Sequence, residues 1–214
     1  MRATCLAMAA DSLELRATPG TRQVERTETT KIQTGPGLAA GFVGIRDYSA
    51  PEHGWDLAVL ATTLFTYGIT DLAEFWATFQ NLLSGRFNAS LPHVLARAAP
   101  LAFATTSKSL FNGVVANVQT GQILHVTGTV EGELTGDLRT LGPRDSEDVV
   151  LGFAPTGPNL VANASLAEVR DHCVGIVDLA RRTAPLLLGH RTVGGPIRWL
   201  VAERDAGHSQ GVFD

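Results

Sequence analysis

Two helix start and stop signals lie almost back to back between Asp56 and Gly85, and no other stretch restricts the fold so tightly. Asp56 can accept the first free N–H groups of a helix running to Tyr67. Leu57, Leu60, Ala61 and Leu64 then fall on one face, and Gly68 supplies the left-handed stop. A second helix follows at once. Asp71 stands as its cap, with Glu74 three residues on, in the manner of a capping box. Leu72, Phe75, Trp76, Phe79, Leu82 and Leu83 recur at helical spacing, and Gly85 marks the expected end. So short a link makes the two helices antiparallel neighbours.

The last helix is signalled most fully. Ser165-Leu166-Ala167-Glu168 is a complete capping box, and Leu166, Val169, Cys173, Ile176, Val177 and Ala180 form an apolar stripe, with Pro185 as a limit or kink. Arg170 and Arg181 point the same way, and Asp178 and Arg182 make a favourable pair one turn apart. In 106–120, Leu110, Phe111, Val114, Val115 and Val118 also follow helical spacing, although Gly113 and the valines leave a strand open. Residues 122–134 alternate and predict a strand or hairpin. The stretch 135–164, rich in Gly, Pro and Asp, is expected as a long excursion before the last helix. Thr, Arg and Glu dominate 18–31 without a sustained apolar period, and residues 1–50 are expected as an N-terminal arm or partly ordered segment. The expectation is therefore a mainly α chain: an antiparallel four-helix bundle at 51–205, a small β element, and a polar tail at 206–214.

A chain of 214 residues is long enough to fold without disulfide or metal. Its charged fraction of 18% is low beside an apolar 44%, which suggests surface hidden in an assembly. Fifteen of the 17 basic residues are Arg, yet the net charge is -4. Such a chain does not coat itself with positive charge to capture nucleic acid from solution. Cys5 and Cys173 form no disulfide or zinc framework, and the opening MRATCLAMAADSLELR is too soon interrupted for a secretion signal. No window has the length of a membrane span. A cytoplasmic or virion location, without secretion, is expected.

Motifs for chemistry are sparse. Asp171-His172-Cys173 cannot form a triad, because consecutive helical side chains diverge by roughly 100°; Cys173 belongs to the apolar stripe. His53 with Asp56, and His190 with His208, lack further ligands at usable spacing. The acids Glu131, Glu133, Asp137, Asp145, Glu147 and Asp148 lack the ordered series of a calcium loop. Gly35-Pro36-Gly37 and Gly194-Gly195-Pro196 read as turns, not phosphate loops. No catalytic residue, metal or cofactor is expected. One basic cluster remains, Arg170, Arg181, Arg182 and Arg191, as a candidate phosphate-binding surface.

The order of elements resembles the coat proteins of rod-shaped plant RNA viruses, the tobamovirus-like group. The resemblance rests on Trp55-Asp56 opening the first helix, Arg86-Phe87 after the second, Arg170-Asp171 in the last, and Trp199 in the closing segment. It departs at Gln119-Thr120-Gly121-Gln122, where the group carries Arg, and in the length of the arm. What it implies is a non-enzymatic structural subunit that self-assembles into a helical particle around single-stranded RNA. Arg170, Arg181, Arg182 and Arg191 would then meet phosphates, while Trp55, Asp171, Asp178 and Trp199 would serve assembly. The rival readings are a small cytoplasmic α+β enzyme whose site is assembled from distant residues, and a binding module using strand 122–130 as an exposed edge.

Overall fold

The computed structural model describes residues 5–17, 24–98, 108–141, 149, 151, 164–188, 194–204 and 207–213. In chain order the strands before the first helix are β1 (Cys5–Asp11), β2 (Leu13–Ala17), β3 (Val24–Glu28), β4 (Ile32–Gly35), β5 (Leu38–Gly44), β6 (Asp47–Tyr48) and β7 (Trp55–Asp56). Then come α1 (Leu57–Thr66), α2 (Leu72–Ala98), β8 (Ser109–Asn117), β9 (Gln122–Thr129) and β10 (Leu134–Thr140). The chain closes with α3 (Leu166–Leu188), β11 (Ile197–Glu203) and β12 (Gly207–Phe213).

These elements make an α+β molecule and not the mainly α four-helix bundle expected from the sequence. An antiparallel sheet in the order β10-β9-β8-β5-β4 carries α1 and α2 on one face. A smaller antiparallel sheet, β1-β11-β12, carries α3, and β1 and β11 approach β4 of the larger sheet. Two short hairpins, β2-β3 and β6-β7, complete the described strands. Strands β1 to β6 all lie within the stretch expected as an arm, and β12 lies within the expected tail.

The local signals at helix starts hold. Asp56 accepts from the N–H groups of Ala58 (2.8 Å) and Val59 (3.0 Å), and Gly68 closes the turn after α1 at φ 79°. Asp71 accepts from Ala73 and Glu74, both at 2.9 Å. At α3 the box is reciprocal: the Ser165 N–H donates to Glu168 Oε2 (2.6 Å), and the Glu168 N–H donates to Ser165 Oγ (3.3 Å).

Three expectations fail where tertiary context overrides spacing. The segment expected as a helix over 106–120 contains β8. This strand is buried at six of its nine positions, adjacent ones included, so its apolar residues need not alternate. Helix α2 does not end at Gly85 but runs to Ala98, taking in Arg86, Phe87 and Pro92, so no Arg-Phe strand follows it. The strand expected as an exposed edge, β9, is interior, paired with β8 on one side and β10 on the other. The expected excursion 135–164 contains most of β10; 142–148, 150 and 152–163 lie outside the described residues.

The core lies between the larger sheet and its helices. Phe42 from β5, Phe75, Phe79 and Phe87 from α2, and Phe111 from β8 are all sealed from solvent. Phe87 and Phe111 meet edge to face at 5.6 Å, and Trp55 packs on Phe87 at 5.7 Å. Each such side chain stabilises the fold by roughly 1.5–3 kcal/mol relative to exposure.

Glycine faces an aromatic ring directly across three seams of the sheets. Phe42 pairs with Gly113, Phe111 with Gly128, and Trp199 with Gly211. A Cβ added to these glycines would lie 2.4 Å, 2.2 Å and 2.5 Å from the facing ring, so each ring occupies the space a side chain would need. In the same way Trp76 of α2 lies over Gly136 of β10.

Candidate functional site

The end of β1 brings together polar groups that are far apart in sequence. Asp11 is the last residue of β1, and the register pairs it with Ile197 at the start of β11. That pairing draws the segment before β11 alongside, so the Gly194 N–H donates to Asp11 Oδ2 at 3.0 Å. The chain leaves β1 through Ser12, runs out and back through β2 and β3, and returns beside its starting point. There the Thr29 N–H donates to the Ser12 carbonyl at 2.8 Å. Two residues later Lys31 Nζ donates to Asp11 Oδ1 at 2.7 Å.

Both side chains of this ion pair are largely buried, each 13% exposed. An ammonium carries three donors, and among the described residues Lys31 spends one, on Asp11. A partly desolvated cation with spare donors is unsatisfied unless an oxygen from water or a ligand reaches it. Ser12 adds a second deficit at the same strand end: it is fully buried, and its Oγ has no hydrogen-bond partner among the described residues. The Ser12 hydroxyl makes no hydrogen bond to the pair, so it is a neighbouring feature and not a third member.

Asp11 holds the Lys31 ammonium in place through Oδ1. The Gly194 N–H satisfies the second carboxylate oxygen, which holds Asp11 in its orientation. No three of the described His, Cys, Asp and Glu residues come together as metal ligands.

Sequence reasoning missed this pair, because its members are 20 residues apart and no motif links them. One signal was present: in a chain that otherwise uses Arg, lysine occurs at 31 and 108 alone. A compact ammonium retained at a buried position is a different group from a guanidinium.

The residues singled out from the sequence lie elsewhere. Arg170, on α3, donates to Asp171 at 2.7 Å through Nε, and its guanidinium lies 5.3 Å from the centre of the Trp199 ring. Arg181 and Arg182 both bind Asp178, at 2.6 Å and 2.5 Å. Arg181 also reaches the Gly195 carbonyl at 3.4 Å. These cations are compensated within α3 and against the smaller sheet. Arg191 lies outside the described residues. Trp55 is 4% exposed, inside the core, where its Nε1 donates to Ser90 Oγ at 2.9 Å. The reading of the chain as a coat-like subunit enclosing RNA is overturned with the bundle it required: the described fold is α+β. No described helix is long and apolar enough to cross a membrane.

A slot between the two sheets is lined by Leu6, Leu38, Val118, Leu200, Gln119 and Glu203, among others, and Glu203 is the one titratable group among its described residues. Cys5 lies opposite Glu203 in the β1–β11 register. Burial, and next the Glu203 charge, push its thiol above the ordinary range, the reverse of what a nucleophilic thiolate requires.

Fold and site together define an α+β protein with a part-buried lysine–carboxylate pair. No family model matches the chain, and no curated protein matches it. Solved structures similar to it include Anbu from Hyphomicrobium sp. strain MC1, 10% identical, covering 95% of this chain and 82% of that one at a TM-score of 0.44. The Anbu (Gly-1) mutant from the same strain is 11% identical, covering 99% and 87% at a TM-score of 0.42. Likeness at this level assigns no activity.

Proposed function

We propose that the chain is a small α+β enzyme whose site is assembled from distant residues around Lys31 and Asp11. The supporting observation is the part-buried ammonium of Lys31, oriented by a carboxylate that is itself fixed by the Gly194 N–H. Such a group suits a reaction in which an oxygen acquires negative charge, and hydrolysis of an acyl bond is the simplest case. Lys31 stabilises the oxyanion as it develops, and Asp11 is a positioning residue that acts through Lys31. Removing one oxyanion donor typically costs on the order of 100-fold to 1,000-fold in rate.

The test is turnover of chromogenic esters and fluorogenic peptide amides by the full chain and by Lys31→Met, Lys31→Arg and Asp11→Asn. The methionine variant is expected to lose turnover by that factor at nearly unchanged KM. Lys31→Arg is expected to fold yet recover little of the rate, because the planar fork cannot replace the ammonium geometry. Absence of turnover by the native chain on every substrate, or equal rates in native chain and Lys31→Met, overturns the proposal and leaves the pair as a clasp between β1 and the segment before β4.

A further inference from the structure

The two main sheets end in four outer strands, and three of them are protected. On β10 the exposed Asp137 and Arg139 form an ion pair at 2.6 Å, which sets charge along that edge. β4 is four residues long and packs against α1, β1 and β11. β1 is held by Lys31 at Asp11 and by the Cys173 thiol, which lies 3.8 Å from the Ala7 carbonyl. Among the described residues β12 has no such guard. Its seven residues, GHSQGVF, include no Asp, Glu, Lys, Arg or Pro, and among the described residues it pairs with β11 alone. It also exposes Val212 (53%) and Phe213 (45%). These neighbours leave on opposite faces of the sheet, so apolar surface borders the open edge on both sides. Native proteins rarely leave a long, uncharged, apolar edge unpaired.

We propose that β12 pairs antiparallel with β12 of a second copy, about a twofold axis through Gln210. The strand fits itself in this alignment. Gln210 meets Gln210 of the second copy, Ser209 meets Gly211, and Phe213 falls opposite Gly207, so the largest residue faces the smallest and no like charges meet. Two three-stranded sheets become one of six, in the order β1-β11-β12-β12-β11-β1. The contact is isologous and closes at two copies.

Sedimentation velocity of the full chain between about 1 μM and about 200 μM tests this by mass action. A dimer that dissociates on dilution is expected. Gln210→Lys places two ammonium groups directly opposite each other at the axis and is expected to weaken association by roughly tenfold or more. In a Cys5→Ser, Cys173→Ala background, Gln210→Cys is expected to give a covalent dimer under mild oxidation. A native chain that stays monomeric throughout, or dimers unchanged by Gln210→Lys, overturns the proposal. If circular dichroism shows Gln210→Lys unfolded, the cysteine variant decides alone, and absence of the covalent dimer then overturns it.

Discussion

Asp71 shows how a single exposed side chain ties stability to pH. The Glu74 N–H, and with it the Ala73 N–H, hold its carboxyl below the ordinary value of 3.8. A depressed folded-state pKa means that the cap contributes fully above 3.8 and loses its contribution as pH falls through the lower folded value. In melts between about pH 7 and about pH 2, Asp71→Ala is expected to lower Tm at neutrality and converge on the native chain in acid. Asp71→Asn, which caps without titrating, is expected to keep most of the neutral Tm. A gap between native and alanine chains that stays constant across the whole range contradicts this account. Glu168 is held down in the same direction by the Ser165 N–H, so the start of α3 shares the acid sensitivity. Asp11 and Lys31 illustrate the opposite kind of residue. Nothing local announces them, since their meaning comes from the β1–β11 register and from the return of the chain after β3.

For whole elements, what the sequence reveals depends on how local the governing physics is. The starts of α1, α2 and α3 were legible because a cap is a contact among three or four consecutive residues. Asp56→Ala is accordingly expected to cost about 1 kcal/mol in chemical denaturation. β8 was illegible for the converse reason. Leu110, Phe111, Val115 and Ala116 of the strand and Val118 just beyond it are all buried, and the resulting run imitates helical spacing. The strands before residue 50 were hidden differently. β2 (LELRA) alternates over only five residues, and β3 (VERTE) carries a single apolar residue among its charges, too little pattern to mark either strand when read alone. Gly85 failed as a stop because α2 continues past it, and a Cβ there would meet nothing within 4 Å. It is a tolerated glycine in an exposed turn of helix, costing up to about 1 kcal/mol against alanine.

Across the molecule as a whole, stability concentrates where α2 crosses the larger sheet. Phe111 touches this centre from below, 5.6 Å from Phe87 and 6.2 Å from Trp55. Phe111→Ala is expected to cost about 3–5 kcal/mol, read as a fall in the denaturant midpoint with the slope retained. Arg170, above Trp199, holds α3 to the smaller sheet by a weaker, partly exposed contact. Order is therefore expected to be lost first between α3 and β1-β11-β12, and hydrogen exchange would report faster opening there than in β5, β8 and β9.

Phe42, Phe111 and Trp199, each seated over a glycine on the neighbouring strand, do more than fill space. A strand displaced by one pair along its neighbour would bring each ring against a residue that has a Cβ, so every seam has one alignment that admits its aromatic. The rings behave as keys cut for particular slots. Gly113→Ala and Gly128→Ala are each expected to destabilise by about 1–3 kcal/mol and to broaden the amide spectrum, as strands begin to sample neighbouring alignments. Trimming the facing ring in the same chain should restore sharp signals without restoring full stability.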